Sequence, residues 1–477
     1  MQILLRRLGQ HRGAPRLYLD TQALASAGLL PGTAVKLELR TDEFRLTIRA
    51  DAQGTRRVSS KRRSGRLLPV IDVNSREDLA PFAECGVVRI VIVSDAVHIL
   101  LPASVIKAMA RSARLAARLA LGQPLTTAGL AFGAGIASRA LHDGLSAGGV
   151  ASRLVLANEI CEDYLGLAET RNPVVRADTA IAAVPMQEAA QDGWLLSRLA
   201  LVDILEAGIP CSGASKAGVS KRKLTKMEDH PTVGHLIGAA IQLIGTLQPA
   251  IVLIENVESY RDTASAAILR GWLRDAGYAV AETVLDASDF GSLEARVRWF
   301  LVAYPPELPL DLSDLAALAP VRAGSGSLAD VLEPIGPDDA RFRRVDYLKT
   351  KQERDASKGS HFAMQWLTPQ SQSVPVLRKG YHKGGSTDPR LLHPSDHERS
   401  RLLTSVEHAR IKGIDPALIA EAQEALAHQV CGQAVDVRPV HAIGERIAQV
   451  LQASRAGVVS QAATARPPAS CLAEIAG

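Results

Sequence analysis

Cysteine is scarce and poorly placed for structural work. The chain has five, at Cys85, Cys161, Cys211, Cys431 and Cys471. The number is odd and no CxxC pair occurs, which excludes a disulfide framework and a thiolate zinc site. A reducing, cytoplasmic compartment is expected, with no metal. The N-terminus, MQILLRRLGQ, lacks the apolar core of a secretory signal. The longest apolar stretches are broken by charge, Gly or Pro before they reach the length of a membrane span. What remains is a chain of 477 residues, 47% of them hydrophobic, enough for two or three domains with sizeable cores. The formal charge of +5 is mild. Its distribution says more. One basic cluster is Arg56, Arg57, Lys61, Arg62, Arg63 and Arg66, a second is Lys216, Lys221, Arg222, Lys223 and Lys226, and a third runs from Arg341 to Lys383. A basic run is usually a solvated face or linker, but three of them raise the odds of a polyanionic partner.

Patterning divides the chain. Arg16–Leu19 alternates as a strand does. Val35–Leu39 and Phe44–Ile48 alternate on either side of a polar turn and predict a hairpin. The pattern LYLDTQALASAGLLPGTAVKLEL resembles the swapped-hairpin DNA-binding domains of the AbrB-like family. That resemblance implies a β-rich, DNA-binding or dimerising module at 1–66, and a homodimer, because a swapped hairpin covers its apolar face with a second copy. A monomeric β-rich cap packed on the domain that follows fits the pattern equally. The basic, Ser/Gly-containing stretch from about 53 reads as a linker. Residues 67–123 read as a small accessory segment, with strands near Val87–Val93 and His98–Leu101 and a helix from about Ser104. From about 124 strands and helices alternate: strands at Ser152–Ala157, Leu201–Leu205, Ala250–Ile254 and Trp299–Ala303, and a helix at Thr232–Leu247. This predicts an α/β domain with a mostly parallel sheet over 124–304. The alternation stops over 305–395, returns as helices over 396–451, and gives way to a tail at 452–477.

Three segments at strand ends carry chemistry. In Asp203–Lys216 a buried strand runs through Gly208, Ile209 and Pro210 into Cys211 and a basic loop. Ligands bind at the carboxyl ends of strands in open α/β sheets, and basic neighbours favour the nucleophilic thiolate. Alone, such a Cys is more often a buried structural residue. Ile251–Val257 ends in Glu255, Asn256 and Val257. A carboxylate there is partly desolvated and fits a proton donor, though it also fits a cap or an ion pair. In Glu294–Arg298, Arg296 and Arg298 share one face of a strand. Two guanidiniums so placed suit a phosphate, a carboxylate or a base carbonyl, or else a solvated edge.

Pro210-Cys211, Glu255-Asn256-Val257 and Glu294-x-Arg296-x-Arg298, in that order, resemble the central motifs of the cytosine-C5 DNA methyltransferases. Leu285–Gly291, Arg401–Gly413 and Gly432–Val435 extend the similarity over about 124–450. The resemblance implies an S-adenosylmethionine-dependent, Rossmann-like α/β fold with a target-recognition region at 305–395. Cys211 would be the nucleophile at C6 of a flipped cytosine. Glu255 would contact the base at N3 and its amine, Arg298 its O2, and Arg296 would support them. Ser212, Lys216, Asn256 and Val257 would meet the substrate. For S-adenosylmethionine the resemblance implies Phe132, Gly133 and Gly135 in a turn, Glu159 at the ribose, and Ile160 and Asp178 at the adenine. Pro210, Leu236, Gln433 and Val435 complete that set. Here the family's glycine turn is altered: Ala131 replaces its aromatic residue and Ile136 its last Gly. Gln433 and Glu294 replace the usual Asn and Gln. Double-stranded DNA is the expected partner, with a cognate endonuclease beside it. A tRNA cytosine methyltransferase of the same fold, or a catalytically silent DNA-binding protein on that scaffold, are the alternatives.

Overall fold

The computed structural model describes residues 1–210, 226–318, 326–357, 359 and 362–461, with side chains in the last helix described as far as Arg455. Two compact units divide the chain, one built on Met1–Ala113 and the other on Arg114–Ser460.

The first unit is a repeat. Strands β1 (Gln2–Arg7), β2 (Gly9–His11), β3 (Ala14–Asp20), β4 (Ala34–Arg40) and β5 (Arg45–Ala50), with a 3-10 turn at Gln22–Ala27, are followed by the same series again. The second series is β6 (Arg56–Arg57), β7 (Ser59–Arg63), β8 (Arg66–Asn74), helix α1 (Arg76–Ala83), β9 (Val87–Ile92) and β10 (Val97–Leu100). Thr21 and Ser75 cap the equivalent turn and helix, each accepting a backbone N–H. The repeats pair symmetrically. On β3 and β8, Leu17 faces Val73 and Leu19 faces Ile71, with Tyr18 opposite Asp72. On β5 and β10, Leu46 faces Ile99 and Ile48 faces Val97, and Thr47 Oγ1 meets His98 Nδ1 at 3.1 Å. The outer strands are exchanged: β1 pairs with β9 of the second repeat and β6 with β4 of the first. One core, including Leu17, Leu24, Ile48, Val73, Phe82 and Ile90, is shared by both.

Two expectations change here. The basic stretch 53–66 is not a linker but strands β6 and β7 and the turn into β8. Residues 67 to about 101 are not a separate module. They cover the apolar face of the first hairpin, so that face requires no second chain. Helix α2 (Ala103–Ala120) adds Val105 and Ile106 to this core.

The second unit holds a seven-stranded sheet of β11 (Leu125–Leu130), β12 (Ser152–Asn158), β13 (Ala180–Ala182), β14 (Ile204–Gly208), β15 (Ile251–Val257), β16 (Ala279–Asp286) and β17 (Val297–Tyr304). The order is β13-β12-β11-β14-β15-β17-β16. β11 to β15 run parallel, and β17 runs antiparallel to β15 and β16. The order reverses between β11 and β14, which opens a crevice at their carboxyl ends. Both faces are covered. Helices α3 (Ile136–Ala147), α4 (Glu162–Arg171), α5 (Leu236–Leu247) and α6 (Ala264–Asp275) connect the strands. Apolar cores on the two faces include Leu205, Leu243, Ile254 and Trp299 in one, and Leu141, Leu253, Phe300 and Ile443 in the other.

Helix α7 (Asp346–Ser357) and strands β18 (Arg343–Arg344), β19 (Trp366–Leu367), β20 (Arg390–Leu392) and β21 (Arg399–Arg401) belong to a smaller assembly, with strand order β18-β21-β20-β19. Its core contains Leu328, Leu367, Leu377, Tyr381 and Leu391, and also Leu403 and Ile411. The small sheet therefore passes the expected limit at 395. Helices α8 (Ser405–Ile411), α9 (Glu424–Gln433) and α10 (Val437–Gln461) follow, α10 continuing well into the expected tail. α10 lies directly on α3. An added Cβ at Gly144 would collide with the His441 carbonyl, and one at Gly444 would stand 2.8 Å from the Leu141 oxygen. Among the described residues no helix is long and apolar enough to cross a membrane.

Candidate active site

The carboxyl ends of β11 and β12 make one half of the crevice. After β11 the chain turns through Ala131, Gly133 and Gly135 with φ of 51°, 58° and 72°. Gly135 tolerates no side chain: a Cβ would collide with the Phe132 ring and lie 2.6 Å from Asn172 Nδ2. Buried Asn172 donates to the carbonyls of Ala134 (3.0 Å) and Gly135 (2.9 Å), fixing the turn from below. Glu159, just past β12, fixes it from the side. Its carboxylate accepts the Gly133 N–H at 2.9 Å and the Cys161 N–H at 3.1 Å. Ile160 beside it is 66% exposed, an apolar side chain left at a strand end.

Several expected cofactor residues are placed otherwise. The Phe132 ring is buried with Leu154, Leu165, Ala168 and Val174, packing under the turn. Asp178 precedes β13 instead of following it. It pairs with Arg153 of early β12 at 2.7 Å, at the amino end of the sheet and away from the crevice. The position past β13 is occupied by Ala183, Val184 and Pro185. Leu236 and Val435 are buried in the two cores. Gln433 is exposed and accepts from Lys379 Nζ at 3.1 Å. The segment leading into α10 does approach the turn, since Ala134 and Ile136 share an apolar cluster with Ala434 and Val437.

β14, β15 and β17 make the other half. β14 leads through Ile209 to Pro210. Cys211, Ser212 and Lys216 lie outside the described residues. Asn256 is not open to a ligand. It is 1% exposed and donates from Nδ2 to the Ile209 carbonyl at 2.9 Å, clamping the backbone that leads to Pro210. Glu255 and Arg298 meet across β15 and β17, Nε to Oε1, at 2.9 Å, both partly open to solvent. Val257 pairs with Arg298 in the ladder. Arg296 departs from its partner. It precedes β17 and is buried 3.5 Å from Glu294, with Nη2 pointing to the Gly432 carbonyl. Glu206, on β14 opposite Gly129, went unnoticed in the sequence. Its carboxyl is pushed up to about 8 by burial, with Ser138 opposing the shift and Glu255 adding to it. A Cβ on Gly129 would stand 2.9 Å from Glu206 Oε1, so the bare glycine makes room for this carboxyl.

The sequence profile of the C-5 cytosine-specific DNA methylases matches residues 144–449. The chain belongs to this family. It is 28% identical over 259 residues to the type II methyltransferase M.NlaX of Neisseria lactamica, covering 53% of this chain and 77% of that protein. It is 24% identical over 258 residues to M1.ScrFI of Lactococcus lactis subsp. cremoris, covering 53% of this chain and 64% of that protein. Thus the match spans under two thirds of one of these relatives. The fold is shared with the Dnmt2 methyltransferase of S. pombe, with a TM-score of 0.52 at 17% identity over 69% of this chain and 99% of that one. It is also shared with the methyltransferase EhMeth of Entamoeba histolytica, with a TM-score of 0.50 at 12% identity over 70% and 99%. The architecture is that of an S-adenosylmethionine-dependent methyltransferase, and this family uses that cofactor.

Within a C-5 cytosine-specific DNA methylase the replacement of Gln by Glu294 has a local reason. Glu294 is fully buried, accepts the Leu377 N–H at 2.7 Å and lies 3.4 Å from the buried ammonium of Lys412. Arg296 is the third member of this cluster. A neutral Gln would leave two buried cations facing each other. In the region 305–395, Arg341, Arg344, Lys349 and Arg378 are paired with Asp339, Asp346, Glu398 and Asp388. Arg343 and Lys383 are exposed and in no such pair among the described residues.

Proposed function

We propose that this chain transfers a methyl group from S-adenosylmethionine to C5 of cytosine in double-stranded DNA. The observation that carries the reading is the Glu255–Arg298 pair, set at the strand end beside the Pro210 turn. C5 is a weak nucleophile while the ring is aromatic. Cys211 adds its thiolate to C6 of a flipped base, which makes C5 enamine-like. Glu255 holds N3 and the exocyclic amine and supplies the proton that stabilises the adduct. Arg298 binds O2 and orients Glu255. Asn256 holds the backbone that leads to Pro210 in register with that pair, and loss of the C5 proton then releases Cys211.

The residues present fit the cofactor. Gly133 and Gly135, both left-handed, present backbone without side chains, Glu159 has lone pairs left for ribose hydroxyls, and exposed Ile160 suits an adenine face. When bound, S-adenosylmethionine supplies an electrophilic methyl on a sulfonium. Region 305–395 is proposed to read the DNA, using cations such as Arg343 and Lys383. A cognate endonuclease fits the type II relatives, and a cytoplasmic site fits a DNA substrate. The proposed homodimer loses its motive with the internal repeat.

The test is methyl transfer to plasmid DNA, read by bisulfite sequencing, for the wild type and Cys211→Ser. The wild type should mark cytosines at one short sequence and the variant none. Trapping on a 5-fluorocytosine duplex should require Cys211 and cofactor. Transfer to tRNA alone, or to nothing, would replace this reading with one of its rivals.

A further inference from the structure

We propose that the β7–β8 hairpin of the N-terminal unit is a second contact surface for duplex DNA. The repeat supplies an internal control for this reading. Hairpins β2–β3 and β7–β8 hold equivalent places at the two edges of one sheet. Both turn through two left-handed residues, Arg12 and Gly13 (φ 49° and 75°) in one, Ser64 and Gly65 (49° and 76°) in the other. Their chemistry differs. The first tip reads Gln10-His11-Arg12-Gly13-Ala14-Pro15. The second reads Lys61-Arg62-Arg63-Ser64-Gly65-Arg66. The fold therefore does not require the second set of charges.

Lys61 is engaged, 3.1 Å from Asp20 and 5.5 Å from the centre of the Tyr18 ring. Arg62, Arg63 and Arg66 are exposed, and none has an acidic partner within 4 Å among the described residues. Arg63 and Arg66 stand directly opposite each other in the ladder. Like charges so placed destabilise a hairpin unless a counter-charge offsets them. A partner carrying a row of anions does so. A two-stranded ribbon fits the major groove, and guanidinium forks match phosphate oxygens. The choice of DNA among polyanions rests on the function proposed above.

The experiment measures binding of the full chain to a fluorescein-labelled duplex by anisotropy across a salt series, in the Cys211→Ser background so that no chemistry intervenes. R62Q/R63Q/R66Q should lower the slope of log affinity against log salt by about 2–3, near 0.9 for each phosphate no longer neutralised. R62K/R63K/R66K should restore most of it, and R12Q should leave it unchanged. An unchanged slope in the triple Gln variant overturns the proposal. So does a loss of about 0.9 in R12Q, the same per charge as in the triple variant, or a loss confined to duplex RNA. Methyl transfer by the wild type is read separately. If it is absent while the slope loss persists, the catalytic reading fails and the hairpin surface stands.

Discussion

Arg298 and Glu255 meet at 2.9 Å, diagonally across β15 and β17, with the guanidinium Nε on one carboxylate oxygen. The pair is partly open to solvent, so its contribution to stability is small. It fixes the direction of the carboxylate toward the Pro210 end of β14. Glu255→Gln should lower kcat for methyl transfer by about 10²–10⁴, the range for a lost general acid. Arg298→Gln should do the same through lost O2 binding and a misdirected Glu255, while Arg298→Lys recovers a minor part. Both variants should melt within a few degrees of the wild type. Normal single-turnover rates in either would remove the pair from the chemistry.

The Glu159 carboxylate does two things. It ties the Gly133 N–H and faces the place proposed for the ribose. Glu159→Ala should weaken S-adenosylmethionine binding by roughly 1–3 kcal/mol, as for a lost charge-assisted hydrogen bond. Asn172→Ala should weaken it too, by releasing the Ala134 and Gly135 carbonyls, though Asn172 itself need touch no ligand. Calorimetric titration of both variants with the cofactor measures this. Equal affinity in all three proteins would mean that the turn does not hold the cofactor.

The family and the strand ends that carry the proposed chemistry were legible in the sequence because they lie in ordered motifs. The strand ends at Pro210, Glu255 and Arg298 could be read without coordinates. What failed depended on where short elements begin. β13 is three residues of Ala and Ile, too short for a periodicity, so Asp178 could not be assigned to one end of it or the other. The expected strand Leu201–Leu205 ends one residue short of Glu206, yet β14 runs to Gly208. A carboxyl inside a buried strand breaks no pattern that spacing can detect. Arg296 and Arg298 alternate correctly, but β17 begins between them at Val297. The repeat in the first unit stayed hidden because its halves share apolar positions, such as Leu17 with Ile71 and Leu19 with Val73, and few identities. The basic residues of 56–66 looked like linker because every residue of β7 is exposed.

Glu294 and Lys412 allow a direct test of how the departure from Gln is accommodated. Glu294→Gln leaves Lys412 and Arg296 buried without an anion, and should destabilise the fold by about 3–5 kcal/mol. Lys412→Met alone should also destabilise, by leaving Glu294 with less compensation. The double variant should be less damaged than the sum of the two, giving a coupling of at least about 1 kcal/mol in a double-mutant cycle from urea unfolding. Additive losses would show that the two charges do not sense each other.

Glu206 should make stability fall as pH rises. Its carboxyl titrates near 8 in the folded protein, against 4.5 for the ordinary side chain, because burial disfavours the anion. Between those values the folded state holds a proton that the unfolded state has released. Stability therefore declines through that window, by a total on the order of a few kcal/mol, and the loss levels off above the folded value. Glu206→Gln keeps the shape and cannot ionise. Urea midpoints at pH 5, 7 and 9 should diverge, with the variant close to wild type at pH 5 and more stable than it at pH 9. The Gln variant should retain methyl transfer at neutral pH, where the native carboxyl is already mostly neutral. Parallel midpoints across the three pH values would show that Glu206 ionises in the folded chain much as it does in water.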